Sequence, residues 1–208
     1  MEKEFQSRIE DCYIQYCSVI KPLIARIEAL SEKIPLPIFN EIRAFNDHIA
    51  RCYFNNPDEK YIEEQIYKAR RHILRITLDC FKCLNVILYS NIETFERRTR
   101  NVDLTVIDNG TFFPEYSRSK AAAAKLVEEA KINEGYNPDK ALSLYEDACN
   151  LYSEIVDKTN EIAENVKWAK IRFSTKRILT ILGWILSVVI SALISAYFSC
   201  EIISQFLN

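Results

Sequence analysis

Apolar residues recur along much of this chain at alternating intervals of three and four, the spacing that lines one face of an α-helix. From Ile9 they run through Tyr13, Tyr16, Ile20, Leu23, Ile27, Leu30 and Ile34, which predicts a first helix ended by Pro35 and Pro37. A second helix is expected from about Ile38 to Phe54, and Pro57 with the acidic residues behind it marks a new start. The third, from about Asp58 to Arg98, carries apolar residues on most sides, among them Ile73, Ile76, Phe81, Leu84 and Leu88, and is expected to be the central element. Between Asn101 and Pro114, Asp108-Asn109-Gly110 is turn chemistry and predicts a short hairpin or an ordered crossover loop. A fourth helix, with the alanine run 121–124, reaches about Glu134. Asn137 then caps a helix whose first residue is Pro138.

Beyond Pro138 the pattern becomes regular. Tyr145, Ala148, Tyr152, Ile155, Thr159, Ile162, Val166, Ala169 and Phe173 keep three-four spacing for about four heptads, which suits a bundle core or a parallel coiled coil. Tyr145, Tyr152, Ile155, Ile162 and Val166 are the candidate oligomerisation residues. No proline or glycine interrupts this stretch before Ile178–Cys200, an uncharged and mostly apolar run long enough to cross a bilayer at about 1.5 Å per residue. The expected architecture is all-α: a cytosolic helical domain over 1–137, a heptad-patterned connecting helix over 138–177, a transmembrane helix over 178–200 and a short non-cytoplasmic tail over 201–208.

Within the run, Gly183, Ser187, Ser191, Ser195 and Ser199 recur every four residues, a small and mostly hydroxylated stripe. Helices associate in hydrocarbon through close approach at small residues and through hydrogen bonds, so the stripe is a candidate seam or pore lining. The other reading is that each hydroxyl bonds the carbonyl one turn earlier and faces lipid. Lys167, Lys170, Arg172, Lys176 and Arg177 precede the run, and Glu201 is the one charge after it. That asymmetry places the N-terminal part in the cytoplasm, as a single-pass protein of the cell inner membrane. The opening residues MEKEFQSRIE hold no apolar core of a signal peptide.

Composition narrows the chemistry. The net charge of −2 excludes a protein that coats nucleic acid with its whole surface. The seven cysteines are scattered through apolar stretches, and Cys80-x-x-Cys83 lacks both the strand-to-helix context of a redox site and a second ligand pair for zinc. No phosphate loop, nucleophile elbow or metalloprotease motif occurs, so neither cofactor nor metal is expected, and the protein is read as a non-enzyme. Positive charge does gather on the third helix: Lys68, Arg71, Arg75 and Lys82 share a face, with Arg97, Arg98 and Arg100 at its far end. Arginine forks match phosphate oxygens, so these seven residues are the candidate site for a nucleotide or short oligonucleotide. The plainer reading pairs them with neighbouring glutamates.

Two resemblances bear on function. Arg43-Ala-Phe-Asn-Asp-His48 resembles the arginine-to-histidine motif of the HEPN ribonucleases, which implies that Arg43 and His48 act on a phosphodiester. The layout of the whole chain, a helical domain joined to one span with a small-residue stripe, resembles the single-span membrane effectors of bacterial antiphage defence, including the Hailong type. That resemblance implies a homo-oligomeric, channel-forming effector, controlled by a nucleotide or oligonucleotide that a partner enzyme makes. A non-catalytic tail-anchored adaptor for a protein partner is the alternative, and a HEPN-like ribonuclease the third reading.

Overall fold

The computed structural model describes residues 2–55 and 57–206, with side chains described for 4–55, 57–171 and 175–196. It is 89% helical and holds no strand among the described residues, so the chain is all-α. The helices are α1 (Glu2–Gln15), α2 (Lys21–Ser31), α3 (Leu36–Arg51), α4 (Glu59–Thr99), α5 (Phe112–Asn133), α6 (Pro138–Glu161) and α7 (Ala163–Phe206). The chain divides into two units, Met1–Arg97 with Pro114–Asn160, and Arg98–Phe113 with Glu161–Asn208.

In the first unit α4 is the axis. Ile66, Ala69, Ile76, Cys80, Leu84 and Ile92 are fully enclosed, a stripe that turns with the helix. Phe45 of α3 is buried, with Tyr13 at 5.4 Å edge-on and Tyr16 stacked at 6.0 Å between ring centroids. Tyr145, Ala148, Tyr152 and Ile155 carry the buried face of α6. Local chemistry sets the helix starts: Asp58 accepts from the Tyr61 amide at 2.7 Å, and Asn137 accepts from the Lys140 amide at 3.1 Å with Pro138 at the first helical position.

The N-terminal helix departs from the simple pattern. A π-helical turn, Tyr16–Ile20, separates α1 from α2 and adds one residue to the turn. The buried stripe therefore runs Cys12, Ile20, Ile27, and Tyr13 and Leu30 are exposed. The helix also stops at Ser31, three residues before Ile34, where Glu32 turns left-handed at φ 56°.

In the second unit the segment before α5 is a 3₁₀ turn, Leu104–Gly110, so the ordered crossover is correct and the hairpin is not. Asp103 caps it by accepting from the Thr105 amide at 3.0 Å. The hydrogen bonds from Thr105 hold the Asp103 carboxyl below its ordinary range, with a smaller contribution from the Lys176 charge. Asp108, Asn109 and Gly110 all have positive φ, which bends the chain toward α5. The 3₁₀ turn packs against α7.

The connecting segment 138–177 is not one helix: α6 ends at Glu161 and α7 begins at Ala163, with Ile162 at the joint. Thr159 and Asn160 just before the joint are weak helix formers. From Ala163 onward α7 continues through 177 and 178 without a break. Ala163–Ala196 is long and apolar enough to cross a membrane, and none of its most apolar window is buried inside the protein.

Candidate functional site

The basic side chains of α4 are largely neutralised. Lys68 lies 2.6 Å from Glu64, Arg75 4.0 Å from Glu41, and Lys82 2.6 Å from Glu134 and 3.7 Å from Asp79. Arg70 beside them pairs with Asp11 at 3.7 Å. Arg71 instead sits 6.0 Å over the exposed Tyr67 ring, and Arg97 donates to the Thr94 hydroxyl at 3.0 Å. Arg98 and Arg100 are exposed and belong to the second unit. Of the four cations that share this face, Lys68, Arg75 and Lys82 are in ion pairs and Arg71 stands apart over Tyr67, so the face has less field for a polyanion than its cations suggest.

The heptad residues are used inside the chain. Tyr145, Tyr152 and Ile155 are buried in their own unit, which leaves them no face to offer another copy. Ile162 and Ala169 are buried too, and Val166 is half-buried. Phe173 lies outside the described side chains. The oligomerisation stripe expected here is a core stripe, because three-four spacing does not distinguish packing within a subunit from packing between subunits.

Gly183, Ser187, Ser191 and Ser195 are all exposed on α7. Ser187 donates to the Trp184 carbonyl at 2.7 Å, and Ser191 to the Ser187 carbonyl at 2.8 Å. A Cβ at Gly183 would meet nothing within 4 Å. Ser199 lies outside the described side chains.

Arg43 and His48 do not converge. Five residues along a helix turn them about 140° apart; Arg43 is exposed, whereas His48 is half-buried. What His48 meets instead is a cluster the linear sequence does not announce. Its Nδ1 lies 2.7 Å from Gln65 Oε1, its ring stacks on His72 at 5.1 Å, and His72 Nδ1 lies 2.6 Å from Glu41. These groups come from α3 and α4 and tie the two helices together.

Cys80 is fully buried and its thiol is pushed up to about 12 by burial, with Cys83 and Asp79 adding to the shift. Burial also raises Cys83. Thiols held in that form are packing residues. The six described cysteines are all free, and no group of three or more His, Cys, Asp or Glu that could hold a metal occurs among the described residues.

Two carboxylates carry matched networks. Glu134 accepts from Lys82 and from the Tyr145 hydroxyl; Glu96 accepts from Lys120 at 2.6 Å and from Tyr116 at 2.8 Å. Burial alone would raise both carboxyls, but the lysine and tyrosine hydrogen bonds outweigh it and hold both below their ordinary range. Both phenols are raised, by burial and then by the carboxylate each faces.

The Glu134 network borders a cavity of about 830 Å³ between α4, α5 and α6. Lys82, Asn85 and Tyr89 line it from α4, Lys131 from α5, and Tyr152 from α6. Of the cations expected to hold a ligand, Lys82 alone borders this cavity. Comparison with protein-family models, with curated proteins and with solved structures finds no match to this chain.

Proposed function

We propose that the protein is a homo-oligomeric membrane effector of the antiphage-defence kind, without enzymatic activity of its own. Its helical unit receives a ligand, of the nucleotide class, that controls permeabilisation of the inner membrane by α7. The observation that carries this reading is the apolar window of α7, none of which packs against its own chain. An exposed helix of that composition is stable only in lipid or against other helices. Small residues every four positions suit close approach between copies, and a lone span has no lumen. The ligand-sized cavity in the first unit supports a receiving role.

In this reading the first unit faces the cytoplasm, which the basic residues before the span support. Purified protein reconstituted in vesicles makes the test. Dye or ion leakage, read without and with added nucleotide, that is lost in Ser191→Leu with Ser195→Leu supports the effector, and leakage that is absent under both conditions, or unchanged in that variant, rejects it.

A second reading is favoured by the hydroxyls of Ser187 and Ser191, which bond carbonyls of their own helix and so are compatible with lipid. It makes the protein a tail-anchored adaptor for a protein partner. In that case the purified protein is a monomer in detergent and does not permeabilise vesicles.

A further inference from the structure

The cavity between α4, α5 and α6 has the chemistry of a built small-molecule site. Its α4 wall is one helical face, with Lys82, Asn85 and Tyr89 at successive turns. Tyr89 and Tyr152 meet edge to face with centroids 5.8 Å apart, which forms an aromatic corner. Tyr152 is only 3% exposed, yet no described group hydrogen-bonds its hydroxyl, nor that of Tyr89.

Asn85 carries a polar atom that is both buried and unmet. Its amide nitrogen donates to the carbonyls of Phe81 and Tyr145, each at 2.9 Å, which fixes the amide orientation because the oxygen would repel both. The Oδ1 that remains is buried without a partner, the one such side-chain atom among the described residues. A buried polar atom left unsatisfied in a native fold calls for an explanation, and with two tyrosine hydroxyls beside it on the same cavity lining it points to a ligand with hydrogen-bonding edges.

Charge defines the ligand further. Lys82 and Lys131 on the lining are balanced by Glu93 and Glu134, and Lys82 is already paired with Glu134. Such a lining does not draw in a polyphosphate; it accepts a flat ring of no net charge, either neutral or zwitterionic. We propose that this cavity binds a small heteroaromatic molecule of no net charge, its ring against Tyr89 and Tyr152. The proposal goes beyond the functional reading above, since the ligand is of a class other than nucleotides and is held inside the bundle, apart from the basic flank of α4. Binding is measured apart from leakage, so either can fail alone.

Titration calorimetry of the full-length protein in detergent tests it, with adenosine and tryptophan as uncharged and zwitterionic probes and adenosine triphosphate as the polyanion. Val86, 70% exposed at the rim, and Ala124 on the α5 wall are replaced singly by tryptophan to fill the cavity. Both positions are exposed, so both variants are expected to melt like the parent. At least one of adenosine and tryptophan is expected to bind with a dissociation constant below about 1 mM, weakened about tenfold or more in Val86→Trp and in Ala124→Trp. Adenosine triphosphate is expected to bind no tighter than adenosine. The proposal is overturned if neither probe binds in that range, if neither tryptophan variant weakens binding, or if the triphosphate binds tightest.

Discussion

Replacing Glu134 by glutamine removes one charge from the network that joins α4, α5 and α6 and nearly preserves shape. The carboxylate accepts from Lys82 Nζ at 2.6 Å and from the hydroxyl of Tyr145, whose residue is 2% exposed. Hydrogen bonds to charged groups contribute about 1.5–3 kcal/mol each. Here the Lys82 and Glu134 side chains are 33% and 30% exposed, so solvent screens the pair. Glutamine retains an acceptor, and the expected cost is therefore about 1–2 kcal/mol at pH 7. The pH dependence gives the sharper signature. Because the folded protein holds this carboxyl below its ordinary value of 4.5, its contribution is complete above that value. It is lost as pH falls through the lower folded value. Urea unfolding followed by tyrosine circular dichroism, on the full chain in detergent, should show Glu134→Gln less stable than the parent at pH 7 and the two converging in acid. Glu96, depressed in the same direction, is present in both proteins and cancels from the difference. Equal stability at pH 7, or a difference unchanged down to strong acid, would refute the reasoning.

Phe45→Ala empties a fully buried site between Tyr13 and Tyr16 and should cost about 3–4 kcal/mol in the same unfolding assay. Gly110→Ala places a Cβ 3.2 Å from the Thr105 carbonyl at φ +90°, and should destabilise by about 1 kcal/mol or more, whereas Gly135→Ala, which meets nothing within 4 Å, should not. His48→Ala leaves the buried Gln65 Oε1 without its partner, removes the ring stacked on His72, and should lower the melting temperature; if it instead abolished ribonuclease activity in a protein of unchanged stability, the HEPN resemblance would regain its force.

Much of the helical layout was legible because proline, asparagine and glycine punctuate it. Asn137-Pro138 named a helix start that the Lys140 amide then confirmed, and the burial of α4 followed from apolar residues on most of its sides. Periodicity failed where a turn changed its length. The π turn at Tyr16–Ile20 shifts the core from Tyr13 to Cys12, and no residue type in that stretch signals an inserted position. It also failed to say what covers a stripe: Tyr145, Tyr152 and Ile155 meet their own bundle. The candidate site was legible only at Lys82. Tyr89 and Tyr152 are 63 positions apart in sequence, and nothing local to either announces the corner they form. The ion pairs of Arg75 and Lys82 also depend on tertiary packing, since Glu41 lies on α3 and Glu134 in the turn after α5.

Disulfide crosslinking within a bilayer tests most directly whether the small-residue side of α7 faces sister copies. Ser191→Cys and, on the opposite side of the helix, Val189→Cys are compared in protein whose exposed Cys17 and whose Cys200 are replaced by alanine, reconstituted in vesicles and oxidised. The account predicts crosslinked dimers at Ser191→Cys and little or none at Val189→Cys. Equal crosslinking at both positions, or none at Ser191→Cys, would contradict it and leave α7 a tether.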